Sequence, residues 1–130
     1  MNILFVCIEN SCRSQMAEAL ARIHGSDSVV AFSAGSKPSG VVNPKAIASM
    51  EELGYDLSAH RSQGVIDLPA IEFDYVITMG CGEDCPVVPA IAHEDWDIAD
   101  PKHMTPDQFR ETRDIISQRV QELLSRAAKP

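Results

Sequence analysis

Cys7-Ile8-Glu9-Asn10-Ser11-Cys12-Arg13-Ser14 is the stretch on which the reading of this chain turns. Before it stands Ile3-Leu4-Phe5-Val6, a continuous apolar run of the kind that forms a buried parallel strand. After it a helical pattern begins at Ser14, with Met16, Ala17, Leu20 and Ile23 on one face and Gly25 just past its end. The residues between are poor in apolar side chains and read as a loop from strand to helix. Such a loop can curl until successive backbone N–H groups converge on one point, and the helix N-terminus adds partial positive charge. The product is a bowl for a tetrahedral oxyanion, built from Ile8, Glu9, Asn10, Ser11, Cys12, Arg13 and Ser14. Arg13 supplies a planar clamp for two oxyanion oxygens. Cys7 sits at the base, where the same N–H groups stabilise a thiolate, and Ser14 can donate its hydroxyl to that sulfur. Asn10 tolerates a left-handed backbone and is expected to hold the loop's shape. A bare Cys-x5-Arg string also fits a buried structural cysteine followed by an incidental arginine. The strand before it, the helix after it and the serine behind the arginine favour the bowl.

The rest of the chain continues the alternation. Val29 to Ala34 reads as a second strand. Asn43-Pro44 is a helix start, an N-cap followed by proline in the first turn, with Ala46, Ile47, Met50 and Leu53 as its stripe and Gly54 as its stop. Tyr75 to Met79 reads as a third strand running into the turn-rich Gly80-Cys81-Gly82-Glu83-Asp84-Cys85-Pro86. A short fourth strand is expected around Ile91. Thr105-Pro106 caps a long final helix with Phe109, Ile116, Val120, Leu123 and Leu124 inward. No repeat, low-complexity stretch or linker interrupts the pattern. The expected fold is α/β, one domain over 1–130, three-layer α/β/α with a small, about four-stranded parallel sheet. In such sheets ligands bind at the carboxyl ends of the strands, and the segments leaving the first and third strands both carry cysteines.

Composition narrows the partners. The 130 residues are 45% hydrophobic and 23% charged, as in globular proteins. No apolar run approaches the roughly 20 residues of a membrane helix, and the short apolar start lacks the basic region of an export signal. A net charge of −8 disfavours nucleic acid and anionic membrane. The expected compartment is the cytoplasm, where static disulfides are rare, so the four cysteines point to thiol chemistry or metal binding. Half of a zinc site at Cys81 and Cys85, completed by His93 and His103, is the metal alternative. Zinc sites favour closer Cys-x2-Cys pairs.

Cys7 to Ser14, continued by Gln15-Met16-Ala17-Glu18, resembles the phosphate-binding loop of the low-molecular-weight protein tyrosine phosphatase superfamily. It is most similar to the arsenate reductase branch of thioredoxin-coupled type. The likeness runs on through Ser33-Ala34-Gly35, Val42-Asn43-Pro44-Lys45-Ala46 and Asp100-Pro101 to the terminal helix, essentially the whole chain. The resemblance implies reduction of arsenate to arsenite for arsenic detoxification. Cys7 is then the nucleophile, Asp100 the general acid on a mobile loop, and Cys81 and Cys85 the thiols of an intramolecular disulfide relay. It implies a cytoplasmic monomer without a tightly bound cofactor, taking arsenate, with phosphate or sulfate as analogues, and reducing equivalents from thioredoxin or another external thiol.

Two departures keep the donor open. Gly80 separates the strand from Cys81, and the spacing of Cys81 and Cys85 is Cys-x3-Cys, a form that also resembles relatives drawing on mycothiol or glutathione. The alternative function is a low-molecular-weight tyrosine or small phosphate monoester phosphatase. Lys102 and His103 after Asp100-Pro101, where such phosphatases carry aromatic residues, fit a small inorganic substrate better. Asn10, Glu18 and Ser33 match positions that bind potassium in some arsenate reductases, with Gln63 at the fourth position in place of an acid. Glu18 reads more simply as a helix residue that hydrogen-bonds the loop. Cys12 is assigned no required step. His24, His60, His93 and His103 show no catalytic spacing, and Trp96 reads as packing near the acid loop.

Overall fold

The apolar run at the start forms β1 (Asn2–Cys7), whose residues from Ile3 onward are buried on both faces. That burial requires a strand on each side. The computed structural model, which describes residues 1–80, 85 and 87–127, supplies them. β2 (Val30–Gly35) lies on one flank of β1 and β3 (Phe73–Thr78) on the other, with β4 (Ala90–Asp95) outside β3. The order is β2-β1-β3-β4 and every pairing is parallel. The chain therefore steps outward from β1 to β2 and then crosses back past β1 to reach β3. The crevice of such a sheet opens at the carboxyl ends on either side of that reversal. Register puts Cys7 opposite Gly35 and Val6 opposite Thr78, so three strand ends meet at Cys7.

The helices α1 (Arg13–His24), α2 (Pro44–Glu51) and α3 (Pro106–Ala127) share one core cluster with Ile3, Phe5, Cys7 and Ile77. α1 is buried all round from Arg13 to Ala21, as a helix wedged between sheet and α3 must be. Its last turn runs past the core, and Ile23, expected inward, is 41% exposed. Leu53 is exposed as well, because α2 has already ended before it and the chain turns at Gly54 with a φ of 78°. The start of α2 is as expected. Asn43 Oδ1 accepts from Lys45 N at 2.8 Å, with Pro44 in the first turn. α3 buries Phe109, Ile116, Val120 and Leu123, each worth roughly 1.5–3 kcal/mol of apolar burial. The other face of the sheet carries a thinner layer among the described residues. Leu4, Val6, Ala34 and Val76 there meet Val65 and Leu68 from a single 3-10 turn, together with Phe73, Val88 and Cys85. The fourth strand is longer than the sequence suggests. It is an edge strand, with Ile91 at 73% exposed.

Candidate active site

The loop between β1 and α1 turns its carbonyls outward. Cys7 O accepts from Ser36 N, Ile8 O from Lys37 N, Glu9 O from Ser39 N, Ser11 O from Asn43 N and Cys12 O from Met16 N. Gln15 Nε2 and Ser62 Oγ add bonds to Asn10 O and Glu9 O. Among the described residues the N–H groups of Ile8 to Cys12 have no such partners. A loop with its acceptors engaged by protein donors leaves its N–H groups available for an oxyanion, which is the requirement for such a site. Asn10 takes a φ of 51° to make the curve, as its residue type allows. Gly35 is needed behind it, since a Cβ there would lie 2.6 Å from Ile8 O and 3.0 Å from Asn10 N.

A hydrogen-bonded file runs from Cys7 to the far side of α1. Cys7 Sγ lies 2.8 Å from Ser14 Oγ. Ser14 Oγ accepts from Asn10 Nδ2 at 2.8 Å, which leaves the serine proton to point at the sulfur. Gln15 Nε2 donates to Asn10 Oδ1 at 3.0 Å and to Arg61 O at 2.8 Å. Its Oε1 accepts from His60 Nδ1 at 2.9 Å, and Glu18 Oε2 lies 3.3 Å from the same nitrogen. Tyr55 OH stands 2.6 Å from His60 Nε2. Two acceptors at Nδ1 fix the proton there, so Nε2 receives the tyrosine hydroxyl. Burial pushes the His60 pKa down, against the opposing pull of Glu18. Sequence reasoning passed over Gln15 and His60, whose contact spans 45 residues.

Arg13 leaves the first turn of α1 and is buried beside the bowl. Nη1 donates to Ile98 O at 3.1 Å, and Nη2 lies 3.8 Å from Asp100 Oδ2. Asp100 also accepts from Lys102 N and so caps the 3-10 turn Pro101–His103. It is a turn aspartate and a neighbour of the arginine at once. Gly80, after β3, has a φ of 73°, and a Cβ on it would collide with Arg13 Nη1. The glycine that looked like an interruption before Cys81 is where the guanidinium rests. Trp96 is buried and packs on Phe5 with ring centroids 6.0 Å apart.

Cys12 is buried and free, and loss of solvent pushes its pKa up to about 11 against a hydrogen bond from Ser11. Cys81 lies outside the described residues. Cys85 is half-buried, packs on the Leu4–Val6 face and is disulfide-bonded. Asn10, Glu18, Ser33 and Gln63, the residues at the potassium-matching positions, do come together, though the sequence argues against a strong potassium site. Ser33 Oγ donates to Glu18 Oε1, Gln63 Nε2 donates to Ser33 O, Gln63 N donates to Asn10 Oδ1, and Arg22 lies 3.0 Å from Glu18. Their oxygens are engaged by protein donors and a guanidinium, so these residues do not fit a potassium ion. Glu18 does not bond the loop directly, as the sequence suggested, but reaches it through His60 and Gln15. His93 Nε2 lies 2.7 Å from Val88 O, which turns that histidine toward a carbonyl rather than a metal.

A parallel sheet with a cysteine-based oxyanion bowl at its switch point defines a class of thiol enzymes acting on tetrahedral oxyanions. The chain matches the family "low molecular weight phosphotyrosine protein phosphatase" over residues 2–130 and belongs to it. It is 39% identical over 127 residues to the glutaredoxin arsenate reductase of Synechocystis sp., covering 95% of this chain and 96% of that one. Among solved structures it superposes on an arsenate reductase in the phosphate-binding state with a TM-score of 0.86 and 37% identity, over 96% of this chain and 97% of that chain. It is also similar to the thioredoxin-dependent arsenate reductase of Corynebacterium glutamicum, with a TM-score of 0.73 and 32% identity over 95% of this chain and 59% of that one.

Proposed function

We propose that this chain reduces arsenate to arsenite with thiols as the source of electrons. The observation that carries the reading is Cys7 Sγ, at the base of a loop whose carbonyls all turn away and whose Arg13 stands beside Asp100. The names of the relatives and the disulfide at Cys85 favour reduction over hydrolysis.

The Cys7 thiolate attacks arsenic in line with one arsenate oxygen, while the loop N–H groups and Arg13 hold the others. Asp100 protonates the departing oxygen, which leaves as water. The thiolate of Cys81 then attacks the Cys7 sulfur. The new S–S bond forms as the S–As bond breaks, its electron pair stays on arsenic, and arsenic(V) becomes arsenic(III). Cys85 attacks Cys81, frees Cys7, and leaves a Cys81–Cys85 disulfide for an external thiol to reduce. Cys7 belongs to the helical-side core and Cys85 to the opposite face, and in this relay Cys81 is the thiol that exchanges with both. We assign thioredoxin as donor to a monomer working in the cytoplasm. No helix of the described residues is long and apolar enough to cross a membrane.

Steady-state arsenate reduction with thioredoxin, glutaredoxin with glutathione, and mycothiol systems in parallel tests both reaction and donor. Turnover fastest with thioredoxin, and lost in Cys81→Ser, is the expected result. Undiminished turnover of Cys81→Ser with thioredoxin would replace the internal relay by an external thiol.

A further inference from the structure

The segment from Ile98 to Lys102 lies along the rim of the bowl and is fastened at both ends. At one end Arg13 donates to Ile98 O and faces Asp100. At the other, Lys102 Nζ lies 3.2 and 3.3 Å from the two carboxylate oxygens of Glu9, a residue of the loop itself. From α2, Lys45 Nζ donates to Lys102 O and Met104 O, both at 3.3 Å, and braces the same turn. A carboxylate in an oxyanion-binding loop repels the substrate unless a cation neutralises it, and Lys102 is the cation paired with Glu9.

We propose that Glu9 and Lys102 form the clasp of a strap that reserves the bowl for free tetrahedral oxyanions and holds back phosphate esters. The inference rests on the bowl and the in-line attack set out above. In that geometry the leaving oxygen points away from Cys7, toward Asp100 and therefore toward the strap. A free oxyanion ends at that oxygen. An ester carries its organic group onward, and the group must pass between the loop and the segment that Lys102 ties to it. The clasp is half in solvent, with side-chain exposures of 35% for Glu9 and 43% for Lys102. An exposed pair of this kind commands a selectivity of about two- to five-fold. Glu9 and Lys102 are then specificity residues, not catalytic ones.

Lys102→Ala and Lys102→Arg test the clasp in the fully reduced protein. Two rates are compared: hydrolysis of para-nitrophenyl phosphate, and isotopic exchange of inorganic phosphate oxygens with water, the second using a free oxyanion in the same bowl. Taking their ratio removes any general effect of the lost charge on anion binding. Lys102→Ala is expected to raise the ester-to-phosphate ratio about two- to five-fold, more for a naphthyl ester, and Lys102→Arg to restore it. An unchanged ratio in Lys102→Ala, or an arginine variant that behaves like alanine, overturns the proposal. So does an equal fall in both rates, which would make the strap part of the chemistry rather than a filter. Neither rate uses arsenate, so loss of arsenate reduction would refute the reductase reading and leave this test standing.

Discussion

Cys7 and Cys12 are both buried in the same loop, yet their surroundings give them different chemistry. Cys7 Sγ lies 2.8 Å from Ser14 Oγ, whereas Cys12 has lost solvent and gained a single weak donor, Ser11. With its pKa pushed up to about 11, Cys12 is a thiolate in only about one molecule in a thousand at pH 8. Limiting iodoacetamide at that pH is expected to label Cys7 and leave Cys12 intact, read by mass spectrometry. Equal labelling would contradict the assignment. Gly80 offers a second test. Gly80→Ala costs about 1–2 kcal/mol of left-handed strain and also displaces Arg13, so arsenate affinity falls about ten-fold or more. Gly40→Ala, at a φ of 81° with open space around it, carries the strain alone and is expected to lower the melting temperature without altering the affinity. Cys7, Arg13, Asn10 and Ser14 were legible in the sequence because their geometry is made within one loop. Gly80 and His60 were not, because what they touch is brought from 67 and 45 residues away in the chain, and no spacing announces such a contact.

Strand, loop and helix together act as one preorganised unit, and the file from Tyr55 to Cys7 is what keeps the loop curved. Its outer end is sensitive to pH. Burial lowers the His60 pKa below 6.5, and Glu18, Arg22 and Asp56 act on it in opposing directions. Between the folded value and 6.5 the unfolded chain binds the extra proton. The contribution of His60 is therefore complete above pH 6.5 and is lost as pH falls below it. The urea midpoint of the protein is expected to drop between pH 7 and pH 5.5. His60→Gln, which keeps a donor for Gln15, is expected to show a shallower slope, and an identical slope would contradict this role. At α2 the N-cap is also a loop support, since Asn43 N donates to Ser11 O while its side chain caps the helix. Asn43→Ala is expected to cost about 1 kcal/mol in chemical denaturation. Apart from β4, which is longer than the sequence suggests, the strands and α-helices were readable from periodicity to within a residue or two at their ends. Inward-facing stripes were overextended at Ile23 and Leu53, where apolar pattern continues past the edge of the core that gave it meaning.

The molecule as a whole carries a charge of −8 and takes an anion. The contradiction resolves locally, because Arg13, the start of α1 and the loop N–H groups lie at one strand end, where the nearby carboxylates of Glu9 and Asp100 are paired with Lys102 and Arg13. The all-parallel sheet makes this possible by bringing the ends of β1, β2 and β3 to a single edge. The same topology was legible from the alternation of strands and helices. The course of the relay was not, because it depends on a loop after β3 whose length the sequence shows and whose path it does not. In the proposed relay two electrons pass from the chain's own cysteines to arsenic. Its most direct measurement is a single turnover of the fully reduced protein with arsenate and no external thiol, counting arsenite released and free thiols remaining. One arsenite per chain, with the four cysteine thiols reduced in number by two, is the predicted result. Arsenate bound without arsenite release, or arsenite formed with all thiols intact, would contradict it.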